Sequence, residues 1–170
     1  MDALLSIAIG IGLSAACGFR VFVPLLIAGL AAHAGYLSPS PEFAWVGTTP
    51  AIVAFGTAAV LEVLAYYIPW LDNALDAIAV PVATLAGMVA SAAVFTDLPP
   101  LLKWTLAIIA GGAAAGAVQG ATTLLRAKST LASGGLTNFA VSTGELLGSV
   151  AISLLAILVP LVCLAVLVLL

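Results

Sequence analysis

Charge is what this sequence has least of. Its 170 residues include four Lys or Arg, seven Asp or Glu and one His, and 6% are charged. An average soluble domain carries about 25%. So few charged side chains cannot cover a water-facing surface, so the apolar excess (64% of residues, mean hydropathy +1.33) must face lipid. Four basic residues also exclude a nucleic-acid surface. One histidine leaves nothing to build a Ser-His-Asp or Cys-His set, so no enzyme is expected. The two cysteines, Cys17 and Cys163, lie in apolar runs with no metal-ligand spacing, and no cofactor is expected. Met1 to Leu5 holds no Lys or Arg before its apolar run, and Ser14 stands where a lipoprotein box before Cys17 would carry Leu. The first segment is therefore expected to be retained in the membrane.

What is present is a set of long apolar runs. A helical span needs about 20 apolar residues. Five runs qualify, at 4–34, 50–69, 75–95, 101–125 and 146–170. They are continuous and rich in Ala, Leu and Gly, which favours helices over the alternating strands of a barrel. The expectation is an all-α integral membrane protein, one domain over 1–170, with about five transmembrane helices, some kinked or broken. Pro24, Pro81 and Pro160 fall inside runs and mark the kinks. The first run is interrupted at Gly18-Phe19-Arg20 and again at Pro24, so it reads as one tilted helix or two short pieces. The stretch Arg126 to Glu145, rich in Ser, Thr and Gly, reads as a polar connection. Its segment Ser133-Gly134-Gly135-Leu136-Thr137-Asn138 reads as a loop that could turn backbone groups toward an ion or head group.

Runs one and four echo one another. Each passes through small residues to an arginine, Arg20 or Arg126, and each is followed by a glutamate, Glu62 or Glu145. Five single crossings would give the two parts opposite orientation, an inverted repeat. Gly112, Gly116 and Gly120 share one helix face and invite close approach of another helix. Helices this few enclose little volume, so a homo-oligomer is expected. The positive-inside rule puts Arg126 and Lys128 on the cytoplasmic side, opposite Lys103.

Charges at membrane depth cost about 2.5–3.5 kcal/mol each and need a reason. Arg20 must meet a carboxylate, cap broken-helix carbonyls or hold an anion. Glu62, with Tyr66 one turn on, is a proton carrier, a cation ligand or an interhelical partner. Asp72 and Asp76 stand four apart, with Asp72 placed to cap a helix N-terminus. Glu62, Asp72, Asp76 and Glu145 are the candidates for a cation site, with Asn138 nearby. With five crossings these acids, Arg126 and Lys128 gather at one face, while Glu42, Asp97 and Lys103 mark the other. The lone His33 and the aromatics near run ends (Tyr36, Trp45, Tyr66, Tyr67, Trp70, Trp104) read as an interfacial belt.

Three stretches carry a family resemblance: Gly18-Phe19-Arg20-Val21-Phe22-Val23-Pro24, Glu62 through Asp76, and Gly134-Gly135-Leu136-Thr137-Asn138 through Glu145. Together they resemble an uncharacterised bacterial membrane family, domain of unknown function 4126. Thr137 and Phe139 depart from its pattern, where Gly and Pro would be expected. The resemblance implies a multi-pass protein of the bacterial inner membrane and carries no activity to transfer. The leading expectation is a small transporter or channel for an ion, proton or small polar solute, with the bilayer as its partner. The alternatives are a lipid-handling protein, with Arg20 or Arg126 and Lys128 holding an anionic head group, and a non-catalytic packing scaffold.

Overall fold

Backbone groups in hydrocarbon must be satisfied within their own segment, and helices do this. The computed structural model describes residues 2–134 and 137–169 and contains helices and no strand among them. Helix α1 spans Ala3–Cys17 and α2 spans Phe22–His33. A 3-10 turn, Pro41–Gly47, leads at a 66° bend into α3, Thr49–Ala65. Helix α4 covers Pro69–Val94 and α5 covers Pro100–Leu106. A π turn, Ala107–Gly111, joins α5 to α6, Gly112–Ser133. Helix α7 is Asn138–Leu158 and α8 is Pro160–Leu169. Among the described residues three segments are long and apolar enough to cross a membrane, or four if the bent pair of the 3-10 turn and α3 counts as one span. That is close to the five expected.

The first run does not cross once. Along α1, Gly10 faces Phe95 at the end of α4, Ser14 bonds Gly87 farther back, and Arg20 reaches Ser142. The chain then reverses. Phe22 meets Glu62, and His33 at the far end of α2 reaches the Gly47 carbonyl. Helices α1 and α2 are therefore an antiparallel hairpin with its tip at 18–21. Gly18 permits the tip, since a Cβ there would lie 2.5 Å from the Ala115 carbonyl oxygen. Pro24 sits in the first turn of α2, where a missing N–H breaks no helical bond. Pro160 likewise opens α8. Helix α4 continues unbroken through Pro81.

This hairpin overturns the inverted-repeat expectation. Because run one returns to the side it came from, α1 and α6 run in the same direction. Gly18 packs on Ala115 and Val118, and Arg20 lies level with Arg126. The other connections keep their expected sides. Residues 66–68, Gly134 and Thr137 lie at one end of the bundle, with the 3-10 turn and residues 95–99 at the other.

The connection expected over Arg126–Glu145 is mostly helix. Helix α6 runs to Ser133 and ends at Gly134, whose φ of 64° is left-handed and suits glycine. Several of the polar side chains that suggested a loop find partners instead: Ser129 bonds Thr137, Asn138 bonds Thr130 and Asp72, and Ser142 bonds Arg126. Gly135, Leu136 and the side chain of Trp70 lie outside the described residues. Gly112 and Gly116 do face another helix, and it belongs to this chain: Met88 and Thr84 of α4 cover them. Serines tie the centre, with Ser14 Oγ 2.5 Å from Ser91 Oγ, which donates to the Gly10 carbonyl at 3.1 Å.

Candidate functional site

The charged groups meet at the end of the bundle that holds the hairpin tip. Arg126 lies two turns before the end of α6, about 10 Å along the axis. It is 1% exposed. Its Nε donates to Glu145 Oε1 at 2.8 Å, one Nη donates to Asp72 Oδ1, and the other to Glu145 Oε2 and to Ser142 Oγ at 3.1 Å. Asp76 Oδ1 stands 3.9 Å from Nε. Arg20 enters from the hairpin tip. Its Nη2 donates to the Ser142 carbonyl at 3.0 Å and pairs with Glu145 Oε2 at 3.2 Å. Glu145 therefore holds both arginines, and Ser142 serves one through its carbonyl and the other through its hydroxyl.

Tyr66 fills the space between the guanidinium groups. Arg20 Cζ lies 3.9 Å from its ring centroid and Arg126 Cζ 4.3 Å. Tyr66 is therefore not part of an interfacial belt. Tyr36, Trp45 and Trp104 are exposed at the opposite end, as a belt requires, and Tyr67 stacks on Phe139 at this one.

Glu62 does something the sequence did not suggest. Its two oxygens accept the backbone N–H groups of Val21 and Phe22 at 2.7 and 3.0 Å. It caps α2 from α3, replacing the partners that a helix start lacks. Among the described residues no cation lies within ion-pair distance of it; Arg20 and Glu145 act on it at longer range. A direct Arg20–Glu62 pair is thus absent, because Arg20 turns to Glu145. Asp72 does not cap α4: the N-cap position is Ile68, and the Asp72 carboxylate is bound by Arg126 and by Asn138 Nδ2 at 3.3 Å.

Two guanidiniums, Arg20 and Arg126, face four carboxylates, Glu62, Asp72, Asp76 and Glu145. Lys128 points away and is exposed, so it neither joins the cluster nor forms a head-group clamp with Arg126. Three of the four acids proposed for a cation surround Arg126 instead, and among the described residues no group of three or more His, Cys, Asp or Glu is placed to hold a metal ion. Several polar atoms in the cluster make no hydrogen bond: Arg20 Nε and Nη1, Asp76 Oδ1 and Asn138 Oδ1.

At the opposite end Lys103 is buried, not a free mouth charge. It donates to Ser40 Oγ at 2.8 Å and Glu42 Oε2 at 3.2 Å and lies 5.4 Å from the Phe43 ring centroid. Glu42 is held below its usual carboxylate range by its own backbone N–H, then by Lys103 and Ser40.

The sequence profile of a domain of unknown function, DUF4126, matches residues 7–170. The chain belongs to the DUF4126 family. No curated protein matches it, and no solved structure does. The DUF4126 match takes in every member of the charge cluster. Sequence reasoning missed two participants, Ser142 and the N–H pair of Val21 and Phe22. Ser142 had a signal, standing three residues before Glu145 on a helix face, where i and i+3 are neighbours.

Proposed function

We propose that this protein is a small transporter that moves a proton or a monovalent cation across the bacterial inner membrane, working as a homo-oligomer. One observation carries the reading: carboxylates outnumber guanidiniums four to two in a cluster set inside the bundle. Uncompensated charge in a low-dielectric interior is costly, by several kcal/mol per ion. A resting state with both excess charges bare is disfavoured against one that takes up a proton or a cation. Glu62 and Asp76 are the exchanging groups by the same reasoning. Glu62 has only neutral N–H donors, and Asp76 is the acid least closely held by Arg126 and is half-buried. A self-association face is supported by Gly120, the glycine of the 112/116/120 series that no described residue covers within 4 Å.

Flux in liposomes tests the reading. Purified protein should dissipate an imposed proton or monovalent-cation gradient, and Glu62→Gln or Asp76→Asn should abolish it. Flux equal to that of empty liposomes for the wild type would refute it. Lipid head-group handling draws less support, because the Arg126 donors are already engaged by Asp72, Ser142 and Glu145.

A further inference from the structure

Helix α3 packs along α2 and the 3-10 turn, and its other flank faces α4 across a cleft. The cleft has a volume of about 340 Å³ and is walled by apolar side chains, among them Leu75, Ile78 and Val82. Leu61, Ile78 and Val82 on its rim are exposed, so it opens sideways to the bilayer and not along the bundle axis. Three polar side chains reach it: Glu62, Tyr66 and the buried Gln119 of α6. Its size falls within the range of small-molecule sites, about 300–1,000 Å³.

We infer that this cleft binds a lipophilic monovalent cation taken from the bilayer, with Glu62 as its counter-charge. Charge complementarity selects that occupant. Glu62 is the one charged group lining the cleft, and among the described residues it has no ion-pair partner. The N-terminus of α2, roughly +0.5 of a charge, offsets about half of its negative charge, and the remainder still favours a cation over an anion. A small hydrated ion is a poor fit. It would need several oxygen ligands to replace its water shell, about six or more for the hard divalent ions. The cleft offers one carboxylate, one phenol and one amide among apolar walls. An organic cation with a diffuse charge and a large apolar body needs only the carboxylate and the walls. An anionic amphiphile would meet Glu62 first, because Arg20 is buried behind Tyr66 and does not line the cleft.

This inference rests on the transport reading for its purpose, but binding can be measured without transport. Tetraphenylphosphonium is the probe, and tetraphenylborate is its anionic counterpart of nearly the same shape. Calorimetric titration of purified protein in detergent should show the phosphonium binding, and the borate binding at least about tenfold more weakly. Glu62→Gln should weaken phosphonium binding by about tenfold or more, as expected for loss of a charged partner. Ala58→Trp fills the cleft while keeping every charge, and should do the same. If Glu62→Gln does not fold, Ala58→Trp carries the test. Borate binding as tightly as phosphonium, phosphonium failing to bind, or both variants binding like wild type would each overturn the inference. Phosphonium failing to bind a protein that still passes protons in a Glu62-dependent way removes the cleft assignment and leaves the transport reading. Binding without any flux does the reverse.

Discussion

Removing Arg126 should be the most damaging single change in the protein, and a second removal should partly repair it. Asp72 and Glu145 are 1% and 4% exposed and both accept from Arg126. Arg126→Met leaves Asp72 with the Asn138 amide and Glu145 with Arg20 alone. Breaking one buried pair by removing a single partner costs about 3–5 kcal/mol, because the other charge stays buried. The two pairs share a guanidinium, so their costs do not add. A loss of about 4 kcal/mol is expected, a large part of a total stability of about 5–15 kcal/mol. Adding Asp72→Asn removes one of the stranded charges and restores the wild-type excess of carboxylate over guanidinium. The double variant should therefore be more stable than the sum of the two single losses by about 2 kcal/mol. The assay is equilibrium unfolding in mixed micelles, with a full double-mutant cycle. Additivity within about 0.5 kcal/mol would refute the claim that Arg126 and Asp72 depend on each other.

Other outcomes follow from the same contacts. Tyr66→Leu should lose the stacking on both guanidiniums, about 2–4 kcal/mol for two desolvated cation–π contacts, while Tyr66→Phe keeps most of it, read as thermal midpoints in detergent. Gly18→Val forces side-chain atoms onto the Ala115 carbonyl and should cost about 1–3 kcal/mol or more, whereas valine at Gly120, which has open space, should leave the monomer's stability unchanged. Glu42 titrates below its ordinary 4.5 in the folded protein, so its bonds to its own backbone N–H, then to Lys103 and Ser40, add stability above that value and lose it as pH falls. Protease resistance of segment 36–48 should drop below about pH 4.5 in the wild type and be flat with pH in Glu42→Gln.

The helical class and the main spans were legible because hydrocarbon leaves the backbone one inexpensive solution, and long apolar runs announce it. The gathering of Asp72, Asp76, Arg126 and Glu145 was legible from parity: chain segments on either side of paired crossings return to the same end. The hairpin was not, because the signal for a turn at Gly18-Phe19-Arg20 is the same as that for a kink. What decides between them is the approach of Gly18 to α6, so close that a Cβ would lie 2.5 Å from the Ala115 carbonyl oxygen, and the Glu62 cap on α2, both products of tertiary packing. Partner choice was also hidden. Arg20 and Glu62 lie close enough to influence each other, yet Arg20 binds Glu145, and only the geometry of the hairpin tip distinguishes the two acids. The polar stretch after Leu125 read as a loop because Ser, Thr and Gly favour turns in water. Here their side chains bond one another, Ser129 with Thr137 and Asn138 with Thr130, and the helix continues.

The excess of acids in the cluster bears on the choice between a carrier and a lock. A scaffold that needs only to hold α3, α4, α6 and α7 together is best served by balanced pairs, or by apolar side chains of the same volume, which are often as stable or more so. This protein instead places two arginines among four acids, leaves Asp76 Oδ1 without a hydrogen bond, and ties Glu62 to neutral donors alone. The first two leave negative charge without a matching cation, whereas the two N–H donors to Glu62 stabilise its charged form and tie α3 to α2. On the transport reading, the excess of acids favours uptake of a proton or a cation beside a cleft that opens to lipid. A variant in which both Glu62 and Asp76 are neutralised should therefore keep its fold, or gain stability by relief of unpaired charge, while losing flux. If Glu62→Gln with Asp76→Asn unfolded like Arg126→Met, the acids would be structural ties, and the scaffold would be the better reading.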